Sequence, residues 1–243
     1  MGQHRRQEGD TPFELAESIV PHHHRVDPEN WENLYVVGDV HGCLETFERL
    51  LSELGVSADD LVVCVGDLIR KGPDSKGVLS LVRERDNIRS VRGNNEQGLL
   101  DGSKSDPALD EDDLAYIETL PLAISFDDAL VVHGGLDHRE PLTDHDPEDI
   151  LEMRSLTGGG YDRPYWFENR TETPRVFFGH TVLSEAFATP AAVGLDTGCV
   201  YGGQLTAYDW NDDEFVSVDP AETYKERSSD SIVDPRPAAP LTE

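Results

Sequence analysis

Lysine is nearly absent from this chain: Lys71, Lys76, Lys104 and Lys225 are the only four in 243 residues. With arginine the cations reach 20 against 49 Asp and Glu, a formal net charge of -29. A surface this acidic repels DNA and anionic membranes at long range, so neither is expected as a partner. Cysteine is as scarce. Cys43, Cys64 and Cys199 cannot all pair and lack the close spacing of a zinc knuckle or redox motif, so they read as reduced packing residues of an intracellular protein. No apolar run approaches the roughly 18 residues of a membrane span. The opening MGQHRRQEGD has no apolar core of a signal peptide. Together these absences predict a cytoplasmic protein with no membrane association.

What the chain has in excess is carboxylate, and it is scattered. The blocks Asp110 to Asp113 and Asp209 to Glu214 read as solvated loops and faces rather than metal sites. The charge as a whole reads as adaptation to a high-salt, halophilic cytoplasm, where screening over a few ångströms makes it tolerable. Residues 1–30 are polar and include the run His22 to His24, which reads as a flexible basic spot, with metal binding as the alternative. Residues 219–243 are rich in Pro, Ser and charge. Both ends are expected to be mobile, leaving a single domain over 31–218.

Within that domain, short apolar runs alternate with helical patterns. LYVVG (34–38) precedes CLETFERLLSELG, whose Leu44, Phe47, Leu50, Leu51 and Leu54 share one helical face. LVVCVG (61–66), a helix over about 74–85 and IRSVRG (88–93) repeat the order. Strand candidates then cluster: LAISF, ALVVHGG, RVFFGH, AAVGLD, GQLTAY and EFVSV. Alternation followed by clustered strands predicts an α/β fold of two stacked, mixed β-sheets flanked by helices.

Polar residues gather where these strands end: GDVHGC (38–43), GDLIRKGPDS (66–75), RGNNEQ (92–97), VHGGLDH (132–138) and FGHT (178–181). Each is a strand running into a glycine-bearing loop that offers Asp, His or Asn. Singly they read as turns. Five in order at one sheet edge offer the oxygen and imidazole ligands that a site for two divalent cations requires, one carboxylate bridging both.

This series resembles the calcineurin-like metallophosphoesterases, in particular the phosphoprotein phosphatase branch and its diadenosine-tetraphosphatase-like relatives, over roughly Tyr35 to Tyr208. The pattern is GDxHG, GDxxDRG, GNHE, HGG and GH, and LDTGCVYGGQLTAY (195–208) is similar to the closing motif of bacterial and archaeal members. The resemblance implies that Asp39 and His41 bind a first metal, that Asp67 bridges, and that Asn94, His133 and His180 complete a second. It further implies a metallo-dependent phosphatase-like sandwich and hydrolysis by a metal-bridging hydroxide, with Asp67, Asn94 and His133 as the catalytic set. Manganese is the first choice of metal, with zinc or iron as alternatives that the ligand types equally suit.

The chain departs from the pattern at two positions. Asn95 stands where the family has the histidine of GNHE, and Arg70 with Lys71 stand where it has Asp-Arg. In the family that histidine is thought to protonate the leaving oxygen and the aspartate to orient it, so both halves of an acid dyad are missing together. Loss of the acid penalises esters, whose leaving alkoxide is basic, far more than anhydrides. Arg70, Lys71, Asn95 and Arg154 are therefore expected to hold the phosphates of a phosphoanhydride: a dinucleoside polyphosphate, a nucleotide or polyphosphate. For Arg154 an exposed helix-end arginine is the alternative. His138 is either a substitute proton donor or a surface histidine, and Glu96 is a candidate supporting partner of the ligands. The Asp196 to Gly203 stretch reads as shaping a sheet edge. Two other functions remain open from sequence: a protein Ser/Thr phosphatase acting on phosphoproteins, and a catalytically reduced module that binds metal and nucleotide.

Overall fold

The computed structural model describes residues 12–158 and 160–236. Strand β1 (His23–Arg25) is followed by β2 (Leu34–Val37), helix α1 (Leu44–Glu53), β3 (Leu61–Cys64), α2 (Ser75–Glu84) and β4 (Ile88–Ser90). Then come α3 (Asn94–Leu100), α4 (Glu111–Thr119), β5 (Ala123–Phe126), β6 (Ala129–Val131) and α5 (Pro147–Glu152). The chain closes with β7 (Arg175–Phe178), β8 (Phe187–Ala188), β9 (Ala192–Gly194), β10 (Leu205–Asp209) and β11 (Glu214–Val218).

These strands form the two mixed sheets expected, one ordered β1-β5-β6-β7-β9-β8 and the other β11-β10-β2-β3-β4. Near-continuous apolar runs such as 34–37 arise because each sheet is covered on both faces. Leu34 and Val36 point into a core shared by the two sheets, with Val63, Phe126, Val131 and Phe177. Tyr35 and Val37 point the other way, onto a cluster with Phe47, Leu50 and Val78 from the helices. The helical face read from the sequence is thus the face α1 buries, and Asp74 caps α2 by accepting from the Gly77 N–H at 2.7 Å.

Two sets of parallel neighbours set the position of the site. β2, β3 and β4 run parallel in one sheet, and β6, β7 and β9 run parallel in the other. Parallel strands deliver the loops that follow them to a common edge, so the five motif loops leave from two adjacent edges of the sandwich.

Several expectations need correction. The segment 12–30 is built into the domain: β1 pairs parallel with β5, and Ala16 and Ile19 are buried in a core cluster with Leu122 and Trp166. His22 to His24 are consequently no basic spot on a tail, since His23 lies in that strand with Nε2 2.8 Å from Ser125 Oγ. Residues 219–236 also pack onto the domain. The Tyr224 and Lys225 amides donate to the Val200 carbonyl, and Val233 exchanges backbone bonds with Val182 and Ser184. The outermost expected tails, 1–11 and 237–243, lie outside the described residues. Asp110 to Asp113 forms the start of α4, with Asp110, Glu111 and Asp112 exposed as a solvated face and Asp110 accepting from the Asp112 and Asp113 amides; only Asp113 departs from the expectation, being buried and paired with Lys76 at 3.3 Å and Arg83 at 3.4 Å. Of the block Asp209 to Glu214, residues 211–214 are exposed at the turn between β10 and β11, whereas Asp209 is the buried last residue of β10.

Candidate active site

The first two motif loops are laced together by backbone bonds. The His41 amide donates to Asp67 O at 2.8 Å, Gly42 to Leu68 O at 2.7 Å and Gly72 to His41 O at 2.8 Å. This closeness needs glycine: a Cβ at Gly72 would overlap the His41 carbonyl. His41, Asp67, Arg70, Lys71 and His180 all have φ between 49° and 70°. The other described non-glycine residues with positive φ, Asp127 and Asp213, sit in hairpin turns, so left-handed strain concentrates at the loop cluster, as it does at functional sites.

All six expected ligands converge there. Asp39, His41 and Asp67 are buried and offer ligand atoms within 4.8 Å of one another. His133 Nε2 is 3.4 Å from Asp67 Oδ1, and the His133 and His180 ring centroids are 4.9 Å apart. The His180 amide donates to both Asp39 oxygens at 3.2 Å. Asn94 joins through Asn95, whose side-chain Nδ2 donates to Asn94 Oδ1 at 3.2 Å. Asn94 is not a helix cap: it is the first residue of α3, and Gly93 is the cap.

The imidazole tautomers follow from their carbonyl partners, which can only accept. His41 Nδ1 donates to Ile69 O at 3.2 Å and His133 Nδ1 to Val65 O at 2.9 Å, so both Nε2 lone pairs face the cluster. His180 is reversed, its Nε2 donating to Glu152 O at 3.0 Å and its Nδ1 left facing Arg154 Nη2 at 3.2 Å. Such outer bonds are how metal-binding histidines are oriented. Burial pushes all three pKa values down, that of His41 to about 3, which keeps the lone pairs free.

The carboxylates show the complementary electrostatics. Burial, then the nearby Asp196 and Asp67 charges, hold Asp39 well above the usual range. Burial alone would raise Asp67 too, but His133, His41 and Lys71 outweigh it and hold that carboxylate low. The residues therefore fit divalent cations. His133 Nε2 is buried with no hydrogen-bond partner among the described residues, and three buried carboxylates, Asp39, Asp67 and Asp196, need positive charge between them. Lys71 supplies some of it, its Nζ 2.7 Å from His41 Nε2.

Glu96 supports the loop after β3. Its Oε2 accepts from the Asp67 and Gly93 amides at 2.9 and 2.8 Å, and its Oε1 from Ile69 at 3.2 Å. Asn95 sits between Asp67 and Arg70: its backbone amide reaches Asp67 Oδ1 at 2.8 Å, its side-chain amide donates to Asp67 Oδ2, and its Oδ1 accepts from Arg70 Nη1 at 2.7 Å.

A cleft of about 220 Å³ opens onto this cluster. Arg70, Lys71, Asn95 and Arg154 line it as expected, and His138 does not. The sequence reading missed Lys104, Asp196 and Arg227, which line it as well. Asp196 follows β9 as the other motif residues follow their strands, so the strand-end rule itself could have found it. Two of only four lysines, 71 and 104, face one cleft in a chain of net charge -29, which makes lysine scarcity a usable signal.

Convergence of these loops on a two-sheet sandwich defines a metallophosphoesterase class of site. The chain belongs to the calcineurin-like phosphoesterase family, to which residues 33–188 match, and it is a hydrolase. It is 30% identical to serine/threonine-protein phosphatase 1 of Salmonella typhimurium, over 75% of this chain and 94% of the relative. It is 28% identical to the asymmetrical bis(5'-nucleosyl)-tetraphosphatase of Oceanobacillus iheyensis, over 75% and 90%. A crystal structure provisionally assigned as a diadenosine tetraphosphatase superposes with a TM-score of 0.70 at 28% identity, covering 82% of this chain and 97% of that one. The family implies divalent metal ions.

Proposed function

We propose that this chain hydrolyses phosphoanhydrides, such as dinucleoside polyphosphates, nucleotides or polyphosphate, in a cytoplasm of high salt. The observation that carries the reading is the hydrogen bond between Arg70 and Asn95, which occupy the two positions of the family's acid dyad. An amide held by a guanidinium has no proton to give near neutrality. A site so built favours a leaving group that needs none.

Asp39, His41, Asp67, Asn94, His133 and His180 would hold two divalent ions, with manganese preferred over zinc or iron. When bound, such ions acidify water and neutralise phosphate charge. The protein's own residues do the rest. Asp67 and Asn94 line the cleft, His133 Nε2 lies behind Asp67 at 3.4 Å from its Oδ1, and Arg70, Lys71 and Arg154 face the same cleft and offer donors to phosphate oxygens. Asn95 locks the orientation of Asp67 through two hydrogen bonds. Among the described residues no helix is long and apolar enough to cross a membrane.

A second reading, a phosphoprotein phosphatase, is supported by the likeness to the Salmonella enzyme at 30% identity. One screen separates the two. With manganese in molar potassium chloride, turnover of a dinucleoside tetraphosphate and of inorganic polyphosphate should exceed that of a phosphoserine peptide and an aryl phosphate. Preference for the phosphopeptide would select the second reading. Asp67→Asn should lose bound metal by elemental analysis, and with it turnover, while keeping the melting temperature of the parent.

A further inference from the structure

The segment after β11 crosses back over the site and places Arg227 in the cleft wall. Arg227 is held on three sides. Its guanidinium lies 4.7 Å from the Tyr201 ring centroid and 5.4 Å from that of Tyr161. Nε donates to Ser231 O at 2.9 Å, and Nη2 donates to the Tyr161 hydroxyl. Nη1 has no hydrogen-bond partner among the described residues.

The two tyrosines join Arg227 to the cations nearer the metal-type ligands. Tyr201 carries Lys71 at 5.5 Å as well as Arg227. Tyr161 carries Arg154 at 5.2 Å as well as Arg227. The result is an arc, Lys71, Tyr201, Arg227, Tyr161 and Arg154, in which aromatic faces space three positive charges and keep them from collapsing onto the buried carboxylates. Lys71 and Arg154 touch His41 and His180 directly. Arg227 touches neither, and stands one aromatic ring further out on both branches. A single phosphate at the ligand cluster has Lys71 and Arg154 beside it and no use for Arg227.

We infer that Arg227 is a specificity residue for chain length: its free Nη1 edge binds a phosphate one or two units beyond the one being cleaved, so the carboxy-terminal segment selects oligophosphates over monophosphates. This rests on the reading of the site as a phosphoanhydride hydrolase. Contacts with two rings and bonds to Ser231 O and the Tyr161 hydroxyl hold the guanidinium in place in advance, so little side-chain entropy is lost on binding. The two half-buried tyrosines set phenol rings, not carboxylates, against the arginine.

The test is calorimetric titration of the manganese-loaded protein with two probes, the non-hydrolysable bis-methylene analogue of tripolyphosphate and inorganic phosphate. Arg227→Gln should weaken the triphosphate analogue roughly tenfold or more, the scale of one charge-assisted hydrogen bond, and leave inorganic phosphate unchanged. Arg227→Lys should recover part of the loss by restoring charge without the planar fork, which a merely structural role would not do. Equal binding of the analogue by Arg227→Gln and the parent, or equal weakening of both probes, would overturn the inference while the proposed function stands. A parent protein that binds inorganic phosphate but gains nothing from the longer chain would overturn both.

Discussion

Arg70 Nη1 donates to Asn95 Oδ1 at 2.7 Å, and Asn95 in turn donates to both oxygens of Asp67. The two residues that break the family pattern are thus in contact, and their contact ends on the carboxylate at the centre of the site. The position of an acid dyad is kept while its chemistry is replaced by a positive, non-acidic pair.

The double change Arg70→Asp with Asn95→His should therefore restore proton donation. General acids are typically worth about 10²- to 10⁴-fold, and the gain should fall on poor leaving groups. Rates along a series of aryl and alkyl phosphates should drop steeply with leaving-group pKa in the parent and less steeply in the double variant. Aspartate suits the backbone at position 70, where φ is 67°, better than most residues. Either change alone should help little, because a histidine beside Arg70 lacks its orienting carboxylate. A parent that already cleaves phosphoserine as fast as anhydrides would remove the mechanistic basis of the proposed function.

Glu96→Gln should weaken metal binding without touching a ligand. Both carboxylate oxygens accept backbone N–H groups, three in all, around Asp67. An amide can accept on one side only, and its NH₂ then faces a backbone donor. Supporting residues of this kind commonly affect metal affinity by about 10- to 100-fold. Manganese titration by calorimetry should show a loss in that range, whereas parent-like affinity would mean the loop holds its shape unaided.

Stability should carry an acid-sensitive contribution from His23. Burial, then the His24 and Arg25 charges, lower its pKa from 6.5 to about 4 in the folded protein. Between those values the unfolded chain binds more protons, so the contribution is complete above pH 6.5 and is lost as pH falls toward 4. His23→Gln can keep a bond to Ser125 and does not titrate. Denaturant midpoints measured from pH 7 to pH 4 should fall less for this variant than for the parent, and parallel curves would argue against the assignment.

Folding should prefer molar salt. A net charge of -29 makes the compact state repel itself, and ions that shorten the Debye length from about 10 Å at 0.1 M to 3 Å at 1 M relieve it. The melting temperature should rise across a potassium chloride series. A flat or falling trend would count against the halophilic reading.

Nine of the eleven described strands, helices α1 and α2, and the polar motifs that meet at the cleft were legible in the sequence because each depends on local pattern, whereas α3, α4 and α5 drew no reading. Apolar runs such as 34–37 and 61–64 mark strands buried on both faces, and a polar motif after each parallel strand is carried to one edge by topology. Short β1 and β8, with three and two residues, were not legible, since their runs are too brief to carry a period. Tertiary structure alone decided three further matters. It showed that Asn95 bonds Arg70 and that Glu96 serves the Asp67 and Ile69 amides, both consequences of loops separated by 25 or more residues meeting across parallel strands. It also turned the expected tail at 219–236 into part of the cleft. Nothing in that polar composition announces Arg227, because its place is set by two tyrosines, 161 and 201, that lie 66 and 26 residues away along the chain and meet it only in the folded protein.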